Sequence, residues 1–384
     1  MIYLDNAATT KTAPEVVEAM LPYFTEYYGN AGSIYQLGTE SKRAVIRSKE
    51  TIASTLKAEP NEIYFTAGGT ESDNWALKAA YEAYRDKGNH IITSKIEHHA
   101  ILHTCEYLEK QGADITYLDV DEHGLVDTEQ LSKAIRPDTI LISVMYANNE
   151  IGTIQPVKEL GEIAAKHGIL FHTDAVQAYG QIPIDVEECH IDMLSASGHK
   201  FNGPKGIGFL YIGKKAKIRS FIHGGQQERG RRAGTENVAG IVGMEAAVKR
   251  AYGIMEEKTQ REIKLRDYLI GRILQEIPDT RLNGHPARRL PGNVNISFAS
   301  VEGESVLIML DMQGICASSG SACTTGALDP SHVLLALGLS PDLARGSLRL
   351  TLSEDNTEEE MDIVVEELKR IVERLRKHIS LKCL

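Results

Sequence analysis

No stretch of the sequence reaches the roughly 18 uninterrupted apolar residues of a membrane span, so no such span is expected. The opening residues, MIYLDNAATTKTAP, lack the basic start and apolar core of a secretory signal. C-x-x-C spacing is missing, and the five cysteines form an odd set. That speaks against a disulfide framework and for a reduced, cytoplasmic setting. H-E-x-x-H is absent, and so is G-x-G-x-x-G, which removes the usual marks of a zinc protease and of a dinucleotide site. Basic charge is scarce: 42 Lys and Arg face 53 Asp and Glu, for a net charge of -11. This argues against a binder of duplex nucleic acid or of membrane surfaces, with RGRR at 229–232 the one local exception. Repeats and low-complexity tracts are absent as well.

What remains is ordinary globular material, 42% hydrophobic over 384 residues. At roughly 150 residues per domain the length suggests two or three domains. From about residue 40 to 215, amphipathic helical runs alternate with short apolar runs such as EIYFTA, HIITS, TILISVMYA, ILFHTDA and IDMLSAS. This is the pattern of a mostly parallel sheet covered on both faces. Ligands in such folds bind beyond the C-terminal ends of the strands. The polar clusters AGGTES, ANNE, TDAVQ and SGHK fall there. Residues 236–277 read as helical with few breakers, and the remainder reads as a smaller α+β unit. The pattern predicts a boundary near residue 255, with the first dozen residues packing on the smaller unit.

Several clusters could carry chemistry. YFTAGGTESD reads as a strand, a glycine turn and a helix start, with Thr70 as cap and Asp73 completing a capping box. The free amides of that first turn suit a phosphate, although a plain capped helix explains them too. Asp174 ends an apolar strand, where a carboxylate is costly unless a cation meets it or it faces solvent. Lys200 sits between Ser197-Gly198-His199 and a glycine–proline turn, and is either a surface lysine or a Schiff-base nucleophile. Together these three features match pyridoxal phosphate, which needs a lysine, an acid for its ring nitrogen and a helix terminus for its phosphate. His99 and His103 share a helical face but lack a third metal ligand, so a histidine stacked on a flat ring is the better reading of IEHHAILH. Arg349 in SLRLTL points away from Leu348 and Leu350. It either grips a carboxylate or decorates an edge strand.

Read together, YLDNAATT, TESDNWAL, NNEIGTIQP, HTDAVQ, SGHKFNGPKGIG, HGGQQERGRRAGTENV and SSGSACTTG closely resemble the cysteine desulfurases of the NifS and IscS kind. The resemblance spans essentially the whole chain in the family's order. It implies an α/β architecture of the pyridoxal-phosphate transferase fold type I. A large cofactor-binding domain over residues 13–255 would hold a mostly parallel seven-stranded sheet. Residues 1–12 and 256–384 would form a smaller α+β domain carrying the Cys323 loop. The resemblance further implies that Lys200 bonds the cofactor aldehyde, Asp174 pairs with the ring nitrogen and Gln177 with the ring oxygen. His98 would stack on the ring and relay protons. Gly69, Thr70, Ser197 and His199 would hold the phosphate, and Thr235 would reach the phosphate of the partner subunit in a homodimer. Asn149, also near the cofactor, and Arg349 would bind the substrate carboxylate. Cys323, with small neighbours Gly320 and Ala322 that permit motion, would accept the sulfur. No metal is implied.

The implied reaction turns L-cysteine into L-alanine and leaves a persulfide on Cys323 for an acceptor such as an iron–sulfur scaffold, or for tRNA or cofactor sulfuration. A cytoplasmic enzyme without membrane or direct nucleic-acid contact is expected. A selenocysteine or cystine lyase with the same cofactor, or a slow sulfur-relay docking partner, are the alternatives. Cys316, at a strand end, is expected in the core. Ala31 and Tyr35 stand where the family commonly has proline and histidine, in a segment expected near the entrance of the site.

Overall fold

Short, mostly buried runs make the strands of the large sheet, and their apolar side chains alternate between two separate cores. The computed structural model describes residues 1–319 and 330–382, with side chains to residue 377. Cys323, Gly320, Ala322 and Cys383 lie outside the described residues. The strands in chain order are β1 (Ile2–Tyr3), β2 (Ile63–Thr66), β3 (His90–Ser94), β4 (Asp114–Leu118), β5 (Thr139–Ser143), β6 (Leu170–Asp174), β7 (Met193–Ser197), β8 (Gly208–Ile212), β9 (Thr280–Leu282), β10 (Asn293–Phe298), β11 (Ile315–Cys316) and β12 (Ser347–Thr351).

The large sheet has seven strands in the order β2-β8-β7-β6-β5-β3-β4. Strands β7, β6, β5, β3 and β4 run parallel, and only β8 runs against both of its neighbours. Ile92, Ile142, Phe171, Leu194 and Phe209 point into one apolar core. Their immediate neighbours Ile91, Leu141, Leu170, Met193 and Leu210 point into the other. This period of two explains why neighbouring positions in these runs are both apolar: a parallel sheet is buried on both faces. The helices Gln36–Leu56, Val157–His167 and Val238–Gly253 cover the first face. Gly69–Tyr84 and His99–Glu109 cover the second, with Trp75 fully buried there.

The long helical stretch is broken once, at Ile254, into Val238–Gly253 and Met255–Glu276. A separate core gathers Leu4, Leu269, Ile296, Leu348 and Leu368 around the antiparallel sheet β12-β10-β9. Strand β1 pairs in parallel with β11, so the N-terminus does join this core. Residues 5–7 stay bound to β12 through Thr351 and Arg349. Beyond them the chain turns toward the large sheet, where Thr10 N donates to His199 O at 2.9 Å. Cys316 is half-buried rather than a core residue: side chains alternate along a strand, and it is Ile315 that points into the core.

Two glycines show where packing is close and where it is open. A methyl at Gly161 would lie 1.9 Å from Cys189 O, whereas one at Gly271 would meet nothing within 4 Å. Gly161→Ala is therefore expected to destabilise by about 1–3 kcal/mol through overpacking. Gly271→Ala should stabilise by about 0.5–1 kcal/mol through helix propensity. Urea unfolding midpoints check both; equal shifts of the same sign would contradict the packing described here.

Candidate active site

The C-terminal ends of β6 and β7 and the start of the helix Gly69–Tyr84 converge on a cavity of about 390 Å³. The geometry follows from strand order: parallel strands release their chains at the same edge, so residues far apart in sequence meet there. The cavity brings together Gly69, Thr70, His98, Asn149 and Asp174 with Gln177, Ser197, His199, Lys200 and Arg349. Thr235 is exposed and does not line it.

The glycine turn differs from the sequence expectation. The helix begins at Gly69, with Gly68 as its cap at φ 154, and no side chain caps it. Thr70 is therefore a first-turn residue and not the cap. Gly68 supplies a backbone angle that other residues rarely adopt. A Cβ on Gly69 would lie 2.5 Å from Val176 Cγ2, so the turn presses directly on the chain after Asp174. An uncapped helix start presents free N–H groups, the arrangement that receives an anion. Asp73, read from sequence as part of a cap, is buried and lines the cavity instead. Its Oδ1 has no hydrogen-bond partner, and burial, then Asp174, hold its carboxyl well above the usual range.

Asp174 is buried at the end of β6, and its Oδ1 accepts from Val176 N at 2.9 Å. Burial pushes it up to about 6, against the pull of that N–H and of Lys200. Lys200 follows β7 in a single tight turn, Gly198–Lys200. Its Nζ donates to Ala7 O at 2.5 Å and Ala8 O at 2.9 Å. Gln177 Nε2 also donates to Ala7 O, at 2.9 Å. His199 Nδ1 lies 3.1 Å from Thr9 Oγ1, and burial, followed by the charges of Lys200 and Lys205, pushes its ring down to about 4.

His98 caps the helix His99–Glu109: its Nδ1 accepts from Ala100 N at 3.1 Å. That bond leaves Nε2 to carry the ring proton. Burial, then Lys200, push this ring down to about 4, so it is neutral at physiological pH. His99 stacks on His103 at 5.0 Å between ring centroids. Among the described residues no group of three or more His, Cys, Asp or Glu is placed to hold a metal ion.

Arg349 is only 3% exposed despite lying on an edge strand. Nη1 donates to Asn149 O at 2.9 Å and Nη2 to Asp5 Oδ1 at 3.0 Å, while Nε has no partner among the described residues. The segments flanking residues 320–329 are anchored beside it. Ser318 and Arg349 exchange backbone hydrogen bonds, and Ser331 Oγ donates to the buried Glu150 at 2.5 Å. Sequence reasoning missed Asp5, Ala7, Ala8 and Glu150. Its one available signal for the first three was the run YLDNAATT, whose polar and small residues are poor material for a strand. Ala31 and Tyr35 do not line the cavity; Ala31 is buried, and Tyr35 is exposed just before the helix Gln36–Leu56.

Glu97 gives a test of these electrostatics. It is fully buried, its Oε1 accepts from Ser94 Oγ at 2.5 Å and Met145 N at 3.0 Å, and Oε2 is unpartnered. Burial pushes it up to about 8 from an ordinary 4.5. A carboxyl raised on folding contributes stability that is complete below 4.5 and is lost as pH rises through about 8. Glu97→Gln mimics the protonated form without this loss. Its unfolding temperature relative to the parent should therefore climb between those two pH values and level off above. A flat difference would contradict the assignment.

A profile of the family described as aminotransferase class-V matches residues 2–364. The chain is 58% identical to a protein named cysteine desulfurase IscS from Methanosarcina thermophila, over 98% of this chain and 93% of that one. It is 54% identical to a cysteine desulfurase IscS of Clostridium botulinum strain Hall, over 98% of this chain and 95% of the relative. Among solved structures, a NifS-like protein superposes with a TM-score of 0.90 at 39% identity, covering 97% of this chain and 99% of that one. A structure described as SspA in complex with cysteine superposes at 0.83 with 37% identity, covering 92% and 99%. The fold, the strand-end cavity and these relatives agree, and the chain belongs to the aminotransferase class-V family, on its cysteine desulfurase branch of the NifS and IscS kind.

Proposed function

We propose that the protein is an L-cysteine desulfurase that uses pyridoxal phosphate and passes sulfur as a persulfide on Cys323 to an acceptor protein such as an iron–sulfur scaffold. The observation that carries this reading is the meeting of Asp174, Lys200, an uncapped helix start and the unpartnered Arg349 Nε in one cavity. These features fit the cofactor independently of one another. The helix start at Gly69 suits a phosphate, with Thr70, Ser197 and His199 beside it. The raised Asp174 suits a cationic ring nitrogen that would offset its burial. Gln177, whose amide shares Ala7 O with the Lys200 amine, would meet the ring oxygen.

When bound, pyridoxal phosphate supplies an electron sink for the substrate. The protein's own residues do the rest. Arg349 and Asn149 orient the substrate by its carboxylate. Lys200 would hold the cofactor by its aldehyde and would take, and later return, the Cα proton. His98, neutral and fixed by Ala100 N, would stack on the ring and move protons through Nε2. The Cys323 thiolate attacks the substrate sulfur. The new S–S bond would form as the C–S bond breaks; the electron pair left on Cβ would take up one proton, and return of a proton to Cα would give L-alanine. Thiolate, not thiol, is the competent nucleophile.

The same reading makes the enzyme a cytoplasmic homodimer in which the exposed Thr235 serves the neighbouring subunit's phosphate. Phe24, Tyr28, Ile34 and Tyr35, all exposed large apolar or aromatic residues, support burial against a second copy. It also divides the chain into a large domain, 13–255, and a small one, 1–12 with 256–384. The separate core around β12-β10-β9 supports that division.

The purified protein should convert L-cysteine to equal amounts of L-alanine and, with a thiol reductant, sulfide. Borohydride should lock the cofactor onto Lys200, and Lys200→Ala should abolish both results. Attachment at Lys205 instead, or turnover of selenocysteine or cystine without turnover of cysteine, would overturn the reading.

A further inference from the structure

Arg349 is clamped from two sides. Asn149 O takes Nη1, and Asp5 Oδ1 takes Nη2 at 3.0 Å. Asp5 does not line the cavity, so it touches the substrate site only through this guanidinium. The contact is not needed to dock the N-terminal segment. Thr351 already does that: its N donates to Leu4 O at 2.7 Å, its Oγ1 accepts from Ala7 N at 2.9 Å, and its carbonyl accepts from Asn6 Nδ2 at 2.8 Å. Two residues beyond Asp5, the carbonyls of Ala7 and Ala8 receive the Lys200 amine. One short segment therefore holds both cationic groups of the cavity.

We propose that Asp5 is a positioning residue for substrate recognition: its carboxylate fixes the plane of the Arg349 guanidinium so that the unpartnered Nε edge meets the substrate carboxylate, in register with the Lys200 amine. This rests on the reading of Arg349 as the carboxylate site. A guanidinium is a rigid planar fork, and two-pronged recognition of a carboxylate succeeds only when the two planes align. Asp5 also offsets the arginine's charge. The incoming carboxylate is therefore selected by directed hydrogen bonds more than by net charge, which favours a correctly placed α-carboxylate over any anion.

The test compares two amines on the cofactor-loaded enzyme by titration of its visible absorption: L-alanine, which has the carboxylate, and ethylamine, which lacks it. Asp5→Ala should weaken L-alanine about tenfold, the scale of one charge-assisted hydrogen bond, and leave ethylamine within about twofold. Asp5→Asn, which keeps an acceptor oxygen, should stay within about threefold of the parent for both. Arg349→Ala should erase the preference for L-alanine altogether. If Arg349→Ala keeps the preference, the carboxylate reading fails and this inference with it. If Arg349→Ala loses the preference while Asp5→Ala keeps it, only the role of Asp5 fails. Equal weakening of both amines in Asp5→Ala, with lower cofactor content, would reduce Asp5 to a structural tie and overturn the proposal.

Discussion

The buried carboxylate of Asp174 is the constraint on which the rest of the site depends. A charge at the end of a central strand, out of water, is unfavourable unless a cation answers it. Lys200 answers in part, from the end of the next parallel strand, and burial still leaves Asp174 near 6. A cationic ring nitrogen would complete the pairing. Strand order places these groups together: β5, β6 and β7 run side by side in one direction, so their ends open onto one edge. The helix start at Gly69 faces the same edge because its turn presses on Val176, two residues beyond Asp174.

The second constraint is the crossing of the N-terminal segment between two cores. Leu4 is anchored among Val294, Leu350 and Leu368, while Ala7 and Ala8 reach the large sheet's cavity. The site is therefore assembled from elements with separate hydrophobic support. Arg349 comes from β12, Lys200 from the turn after β7, and residues 5–8 connect them. A side chain that tunes Arg349 also sits close to the atoms that hold Lys200. Rigid strands supply the precision, and Ser318 and Ser331 are tied to that framework at Arg349 and Glu150.

Much of this was legible in the sequence. Strands buried on both faces leave continuous apolar runs, so the large sheet could be read from ILFHTDA or IDMLSAS without knowledge of their neighbours. The direction of β8 could not, because an apolar run carries no sign of parallel or antiparallel pairing. TESD matched the pattern of a capping box, yet the two glycines before it start the helix earlier and turn Asp73 inward. Periodicity does not report how early a glycine turn begins a helix. Cys316 was read as core from its place at a strand end, but alternation along the strand sends Ile315 inward and leaves Cys316 half-buried. Asp5 was invisible for a different reason. Its partner lies 344 residues away, and no local pattern encodes a contact of that range.

In the proposed function, this scaffold aims a cysteine substrate at one thiol of the chain. A brief pulse of L-cysteine, followed by alkylation and peptide mass spectrometry, tests it most directly. The account predicts a gain of one sulfur on the peptide holding Cys323 and none on those holding Cys105, Cys189, Cys316 or Cys383. A persulfide confined to Cys316, or one formed at full yield in Cys323→Ala, would contradict it.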